Sequence, residues 1–266
     1  MGFLEAFALY LALGAAAGTL AGLFGIGGGL IIVPVLLLTL EIQGVSAAVS
    51  AHLAVGTSLA TVVFTSLSSI QTHNSKRAVR WDLFRPMALG ILLGAALGAI
   101  TAGALSGEVL QRIIGVFVVL AAIKMASGWS PKAGERQPPR VELASVGGGI
   151  GWLSAIVGIG GGTLTVPYLT WVGTRMQQAV GTSAACGFPI AVSGALTNMV
   201  VGWGRAGLPD YSAGFVYGPA ALGIVIMSVP FARLGALLAH RLNELVLKRL
   251  FALLLIVIGT RFLLNA

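Results

Sequence analysis

The chain has 266 residues, of which 57% are hydrophobic and 9% are charged, and its formal net charge is +8. Soluble globular domains carry about 25% charged residues, so this composition excludes an ordinary soluble protein and indicates one that lies in a lipid bilayer. The positive charge does not indicate nucleic-acid binding, because the Lys and Arg residues fall between apolar runs and no basic stripe alternates with aromatic residues.

Four apolar runs follow one another in the first half of the chain. They are 6–40, 42–75, 86–107 and a shorter core at 113–123. The first three are long enough for the roughly 20 residues that span a bilayer as a helix. The fourth is bracketed by Arg112 and Lys124, whose long side chains can reach the headgroups. All four are predicted membrane segments.

The second half repeats this order with runs at 143–174, 176–204, 211–232 and 250–260. A local string repeats as well, since AVGTS at 54–58 recurs at 179–183. A stretch rich in Pro and charge separates the halves and has the composition of a linker. We therefore predict a first membrane repeat at 1–126, a cytoplasmic linker at 127–142 and a second membrane repeat at 143–266.

A glycine-rich string, GIGGG, lies inside the first apolar run of each half. It starts at Gly25 within GLFGIGGGLIIVPVL and again at Gly158 within AIVGIGGGTLTVPYL. Each Gly costs about 1 kcal/mol relative to Ala inside a helix, so the helix should break at both places and restart near Leu30 and Thr163. Non-helical backbone at membrane depth must be buried in protein or line a watery cavity. The two breaks can meet this condition together at the centre of the protein.

The distribution of basic residues indicates how the two halves are oriented. If every long run were one helix, both halves would point the same way and ten of the sixteen Lys and Arg residues would face the cytoplasm. If the runs that contain GIGGG instead leave by the face they entered, the halves are inverted and thirteen basic residues face the cytoplasm. The positive-inside rule favours the second arrangement. The predicted fold is an all-α polytopic membrane protein of two inverted-topology repeats, each with a GIGGG-broken re-entrant hairpin and three transmembrane helices.

The half-helices that start after the breaks would direct free N–H groups and positive dipole ends into the central cavity, where they attract anions. No acidic residue lies deep in a run, which disfavours a carboxylate-based cation path. His52 titrates near neutral pH and is a candidate for anion contact or proton coupling. The predicted substrate-binding residues are Gly25, Gly27, Gly28, Gly29, His52, Thr57, Ser58, Gly158, Gly160, Gly161, Gly162, Thr182, Ser183 and Asn198.

These candidates also have structural interpretations. Glycines allow membrane helices to pack closely, and Ser and Thr hydroxyls can bond back to their own helix. We favour ligand binding for the two GIGGG strings, because packing rarely needs three consecutive glycines. The Gly-Thr-Ser at 56–58 and 181–183 makes a paired candidate, because it recurs in both halves. GIGGG is no dinucleotide fingerprint, since Leu30 lies where that pattern needs Gly, and no Walker loop is present, so no cofactor is predicted.

Three features of the chain resemble the TauE/SafE family of sulfite and organosulfonate exporters. They are the pattern G-x-x-x-G-x-x-G-I-G-G-G at 18–29 with its following Val-Pro, the repeated AVGTS, and the stretch HNSKRAVRWDLFRPMALGILLGAALGA at 73–99. The resemblance covers essentially the whole chain. It implies a bacterial or archaeal inner-membrane transporter, multi-pass, for small sulfur-containing anions such as sulfite, thiosulfate or sulfoacetate.

The predicted function is therefore secondary transport, most simply export, of such an anion through the lipid bilayer. No ATP-binding signature is present, so the driving force would be a proton or sodium gradient or the gradient of the substrate itself. An anion channel and a carrier of another small organic anion are the alternatives. An enzyme is disfavoured, because the sequence has no metal-ligand cluster and no paired carboxylates within the apolar runs. The oligomeric state stays open.

Overall fold

Helices make up nearly all of the chain in the computed structural model, which describes residues 3–24, 29–127, 136, 138–238 and 244–264. Two short antiparallel strands, β1 (Ser212–Ala213) and β2 (Val216–Tyr217), precede the ninth helix. The prediction of an all-α protein is confirmed. The helices in chain order are α1 (Phe3–Phe24), α2 (Gly29–Ile42), α3 (Ala47–Ser75), α4 (Trp81–Ala104), α5 (Gly107–Ser127), α6 (Arg140–Val157), α7 (Gly162–Trp171), α8 (Met176–Val201), α9 (Gly218–Leu238) and α10 (Glu244–Leu264).

The apolar runs of the sequence coincide with these helices. Within the described residues, four helices are long and apolar enough to cross a bilayer, namely α3, α4, α5 and α8, and shorter apolar stretches lie in α1, α2, α9 and α10. On one face of α4 the side chains of Leu89, Leu93 and Leu97 are 66%, 60% and 59% exposed. Such a stripe needs lipid or another apolar surface against it.

The first helix of each half packs along the fourth helix of the other half. In the second half's α6, the main-chain carbonyls of Ala144, Gly148 and Trp152 face Gly90, Gly94 and Gly98 of α4. Both series rise in the same direction, so α4 and α6 run parallel at very short distance. The matching pair, α1 and α9, repeats this contact, because Gly14 and Gly18 face the backbone of Ile224 and Ser228. Small residues at four-residue spacing are what such close membrane-helix packing requires.

The third helices of the two halves pack against each other in the opposite sense. Gly56, early in α3, faces Asn198 near the end of α8, whereas Ser66, later in α3, faces Gly187 earlier in α8. These helices are therefore antiparallel. The fifth helices, α5 and α10, behave in the same way, since the backbone at Gly115 approaches Leu263 and that at Val119 approaches Gly259.

The close α4–α6 packing leads to a stability prediction. Gly94→Ala should destabilise the protein by about 1–3 kcal/mol, because overpacking a tight contact forces the backbones apart, and the added Cβ would overlap the Gly148 carbonyl oxygen. Gly149→Ala is the matched control on α6, since nothing lies within 4 Å of its Cβ position. It should be neutral or stabilising by up to about 1 kcal/mol. Thermal unfolding of the detergent-purified variants measures both, and equal shifts would contradict the packing described.

The second half contains an observed break where the sequence places it. Helix α6 ends at Val157, Gly158 caps it in the left-handed conformation with φ 77°, and Gly161 adopts φ 75° immediately before α7. Only glycine adopts such angles without strain. In the first half, α2 starts at Gly29, close to the predicted restart. The first break itself, including Gly25, Gly27 and Gly28, lies outside the described residues, as does most of the predicted linker.

The helix before each GIGGG string lies beside the helix after it. The Tyr10 hydroxyl, in the third turn of α1, donates to Gln43 Oε1, directly after α2, at 2.8 Å. In the second half the Tyr168 hydroxyl, near the end of α7, donates to Glu142 Oε1 in the first turn of α6 at 3.4 Å. In each half, therefore, the helix before the GIGGG string contacts the end of the helix that follows it.

Candidate functional site

The start of α2 lies directly on the second break, so the two halves meet there. A Cβ on Gly29 would lie 2.9 Å from the Ile159 Cα and 3.0 Å from the Gly158 carbonyl oxygen. Both segments belong to the predicted site, and their contact agrees with the expectation that the glycine-rich segments come together. The absence of a side chain on Gly29 is what permits this approach.

Helix α3 holds the second break from one side. The Ser58 hydroxyl, fully buried, donates to the Gly158 carbonyl at 2.8 Å. The Val55 Cα would lie 2.9 Å from a Cβ on Gly158, and the Val62 side chain would lie equally close to one on Gly160. Ser58 therefore satisfies a carbonyl that the broken helix leaves without an intrahelical donor.

Helix α8 encloses the same break from the other side. A Cβ on Gly187 would lie 2.7 Å from the Gly160 carbonyl oxygen and 3.1 Å from the Ser66 hydroxyl. The Ile190 side chain lies beside Gly161. Gly160 and Gly162 nevertheless keep partial exposure, unlike Gly158 and Gly161. The turn is therefore surrounded by α2, α3 and α8 without being sealed.

The repeated Gly-Thr-Ser anchors the connection to the fourth helix of the other half. Thr57 Oγ1 accepts the N–H of Tyr217, which directly precedes α9, at 2.9 Å. Thr182 Oγ1 accepts the N–H of Arg80, which directly precedes α4, also at 2.9 Å. The glycine before each threonine makes room for the same connection, since Gly56 faces the Phe215 carbonyl and Gly181 faces that of Ala78.

This geometry gives the repeat a structural role of its own. Thr57 and Thr182 lie toward opposite ends of the antiparallel α3–α8 pair. Thr57 is bonded to the segment before α9 and Thr182 to the segment before α4, so the structure does not bring the two threonines to one point. Ser58 is the member of the motif that contacts the second break. Ser183 occupies the matching position in α8 and is buried.

His52 and Asn198 both lie at the end of the molecule where α4 and α8 end. The His52 Nε2 lies 3.1 Å from the Ala102 carbonyl and 3.2 Å from that of Leu105; because carbonyls only accept, this nitrogen carries the proton. The His52 ring stacks on Phe215 with centroids 4.7 Å apart. Asn198 Nδ2 donates to the Gly194 carbonyl of its own helix, and its main-chain carbonyl accepts the Phe215 N–H. Both residues fix the segment that leads to α9.

A cavity of about 330 Å³ adjoins His52 at this end of the molecule. Its wall includes Arg205 and Phe215 from the segment after α8, Ser106 from the connection between α4 and α5, and Glu108 in the first turn of α5. The chain between α8 and α9 therefore supplies Phe215 as the stacking partner of His52 and Tyr217 as the partner of Thr57.

Three further hydroxyls at the second break were not predicted as contact residues. They belong to Ser154, Thr163 and Thr165, and their oxygens are buried without a hydrogen-bond partner in the part of the chain that the structure describes. The prediction rested on repetition, and these three residues occur only in the second half. A search for hydroxyls beside the GIGGG string, rather than for repeated ones, would have found them.

The threonine anchors lead to a second prediction. Thr182→Val should lower stability by about 1–3 kcal/mol, because it leaves the partly buried Arg80 N–H without an acceptor. Thr57→Val should act equally through Tyr217. Thr→Ser at either position keeps the acceptor and is the control, expected to recover most of the loss. Thermal unfolding is the measurement, and a wild-type melting temperature for both valine variants would show that these contacts do not hold the connections.

Comparison with known proteins agrees with this architecture. Residues 10–262 match the family model described as Sulfite exporter TauE/SafE. A "Probable membrane transporter protein" of Haemophilus influenzae is 41% identical over 259 residues, which covers 97% of this chain and 98% of the relative. Relatives of the same description from Methanocaldococcus jannaschii and Bacillus subtilis are 27% and 26% identical, each covering at least 97% of this chain and 97% of the relative. No solved structure matches the chain significantly. Since the family model spans nearly all of it, the chain belongs to the TauE/SafE sulfite exporter family and is a multi-pass membrane transporter, not an enzyme.

Proposed function

We propose that the protein is a secondary transporter that exports small sulfur-containing anions, such as sulfite, thiosulfate or sulfoacetate, across the inner membrane. The observation that carries the proposal is the contact of Gly29 with Gly158 and Ile159 at the centre of the helix bundle. Interrupted helices of two repeats that meet in this way form the substrate sites of many secondary transporters. The family description supplies the substrate class.

The halves are related as an inverted repeat in this proposal. A two-fold axis in the membrane plane makes each helix antiparallel to its counterpart, whereas an axis along the membrane normal makes them parallel. The antiparallel pairs α3–α8 and α5–α10 support the first relation. The first helix of each half packs on the fourth helix of the other half, as α1 on α9 and α6 on α4, and this exchange is also related by a two-fold axis.

The pairs α1–α2 and α6–α7 are re-entrant hairpins in this arrangement. The contacts of Tyr10 with Gln43 and of Tyr168 with Glu142 support it, because each joins the helix before the break to the end of the helix after it. With the 76–85 segment in the cytoplasm, thirteen of the sixteen Lys and Arg residues lie inside, as the positive-inside rule requires. Arg112, Arg205 and Arg261 lie outside.

The site selects anions because its donors are fixed and its environment lacks carboxylates. Helices α2 and α7 begin at the breaks, so their first N–H groups have no intrahelical acceptor and their dipoles add positive potential. Among the described residues, no Asp or Glu side chain is buried. The predicted contacts of the glycines, Ser58 and Ser183 remain part of this proposal. Thr57, Thr182, His52 and Asn198 remain in it with the structural contacts described above.

Transport would be driven by a proton or sodium gradient or by the gradient of the anion. If the coupling ion is a proton, His52 is the carrier proposed, because it is a buried titratable side chain beside the cavity. The lipid bilayer is the other partner, and no cofactor is required.

Ligand-dependent stability tests the proposal on the purified protein. A panel of sulfite, thiosulfate, sulfoacetate, taurine, sulfate and chloride is added to the protein in detergent, and the melting temperature is followed. A ligand at 100 times its dissociation constant stabilises the folded state by about 2.7 kcal/mol, so a sulfur-containing anion that binds should raise the melting temperature clearly above the chloride control. Equal melting temperatures with all six compounds would contradict the substrate class.

A further inference from the structure

We propose that the second break holds one oxyanion-binding site, made by the hydroxyls of Ser154 and Thr165, the first main-chain N–H groups of α7 and the ammonium group of Lys124, and that the first break holds no equivalent. The inference rests on the proposed function and assigns the contacts of the anion to one half of the chain. It therefore predicts one bound anion per chain rather than a symmetric pair.

The first observation is that unpartnered hydroxyls lie at the turn and that two of them are directed at one residue. Ser154 and Thr165 are fully buried, and with Thr163 their hydroxyl oxygens have no hydrogen-bond partner among the described residues. A Cβ on Gly161 would lie 3.4 Å from Thr165 Oγ1 and 3.7 Å from Ser154 Oγ. Both oxygens are therefore directed at the residue that caps α7.

Many helical hydroxyls of this chain bond within their own helix, although Ser50 Oγ in α3 is also buried without a partner among the described residues. Thr39 donates to the Leu36 carbonyl and Thr170 donates to that of Val166, within their own helices. This back-bonding satisfies Ser and Thr side chains in an apolar environment. The hydroxyls at the second break forgo it, so a polar ligand is the partner that would satisfy them.

The backbone at the turn adds donors of the same kind. Helix α7 begins at Gly162, so the N–H groups of Gly162 and Thr163 have no intrahelical acceptor, whereas those of Leu164 and Thr165 donate to the Gly161 carbonyl. Its ten residues supply a dipole whose positive end lies at this turn. Main-chain N–H groups only donate hydrogen bonds, so they select a ligand whose oxygens accept them. A sulfonate or sulfite group has three such oxygens.

Lys124 supplies a positive charge, and Pro167 explains why it lies there. Because Pro167 has no N–H, the Thr163 carbonyl four residues earlier lacks its helical donor. The Lys124 ammonium group, in the last turn of α5, donates to this carbonyl at 3.4 Å. Among the described residues Lys124 has no ion-pair partner within 4.0 Å, so its charge is available to an anion at the turn.

The corresponding positions of the first half cannot make this site. When the two GIGGG strings are aligned, Ser154, Thr163 and Thr165 correspond to Ala21, Leu30 and Ile32. Leu30 and Ile32 belong to the buried apolar core. The two halves therefore share their architecture but not their hydroxyls.

Calorimetric titration of the purified protein with sulfite and with sulfoacetate tests the inference. Wild type should bind one anion per chain. Thr165→Val and Ser154→Ala should each raise the dissociation constant about tenfold or more, since each removes a hydrogen bond to a charged group. Lys124→Gln should weaken binding as well, whereas Lys124→Arg should retain it. Thr39→Val and Thr170→Val, whose hydroxyls are already satisfied, are the matched controls and should stay within about twofold of wild type.

Rescue separates a lost ligand contact from a lost fold. Thr165→Ser keeps the hydroxyl and should restore affinity, with an elution profile and melting temperature like those of Thr165→Val. Three results would overturn this inference and leave the proposed function intact. They are normal binding by the Ser154 and Thr165 variants, an equal loss of affinity in the Thr39 and Thr170 controls, and binding of two anions per chain. If wild type bound neither probe nor any other anion of the panel, the proposed function would fall and this site with it.

Discussion

Replacement of Gly161 by valine is expected to abolish anion binding and transport. Gly161 adopts φ 75°, which a β-branched residue does not reach without strain. The new side chain would also collide with the Ile190 methyl group and fill the space between the Ser154 and Thr165 hydroxyls. The dissociation constant for sulfite, measured by calorimetry, and the flux into proteoliposomes are the two readouts.

Gly204→Val provides a control with the same backbone strain. Gly204 has φ 71°, lies in the segment after α8, and has nothing within 4 Å of its Cβ position. Gly204→Val should lose stability through backbone strain alone and keep normal binding, whereas Gly161→Val should lose binding. Normal affinity in Gly161→Val would show that the glycines of the second break serve packing alone.

The second large effect concerns topology. Each introduced cysteine should react from only one face of the membrane, so labelling distinguishes the two arrangements. Single cysteines at Ser75, Gln177 and Asp210, all exposed in the structure, are introduced into a Cys186→Ala background. The inverted arrangement places Ser75 and Gln177 in the cytoplasm and Asp210 outside. A membrane-impermeant maleimide added to intact cells should therefore label only Asp210→Cys.

A parallel duplication gives the opposite pattern for the second half. It keeps Ser75 inside but places Gln177 outside and Asp210 inside. Labelling of Gln177→Cys in intact cells would exclude the inverted arrangement. Reaction of all three cysteines after the membrane is permeabilised is the control for accessibility.

The architecture could be predicted from sequence wherever one physical requirement dominates. Apolar runs must be helical in lipid, so the helices lie where the runs are, and α4, for example, lies within five residues of the predicted 86–107 run at both ends. Three consecutive glycines cannot support a helix well, so the start of α7 was predicted to within one residue. These are local properties, and they need no knowledge of what packs against the segment.

The role of the Gly-Thr-Ser repeat could not be predicted in this way. Repetition indicated that residues 56–58 and 181–183 have a shared function, but a ligand contact and a structural anchor repeat equally well. What separates them is the bond from Thr57 to Tyr217, which lies 160 residues further along the chain. Contacts of that range depend on the assembled fold and leave no local pattern.

Emphasis on repetition also concealed the hydroxyls of the second break. Ser154, Thr163 and Thr165 have aliphatic counterparts in the first half, so a search for matched polar residues passes over them. Their significance comes from burial without a hydrogen-bond partner, which is a property of the folded structure and not of the sequence. Lys124 was interpreted from sequence as a residue at the headgroups, whereas its ammonium group reaches the carbonyl that Pro167 leaves free.

The most direct test of the central claim is sulfite flux through the purified protein. Proteoliposomes loaded with unlabelled sulfite are diluted into labelled sulfite, and uptake is compared with that of empty liposomes and of liposomes that contain the Gly161→Val variant. A carrier with a central anion site predicts uptake that saturates with substrate concentration and is accelerated by sulfite on the opposite side, with neither property in the variant. Uptake no faster than in empty liposomes, or uptake that rises linearly with concentration and ignores the internal anion, would contradict the account.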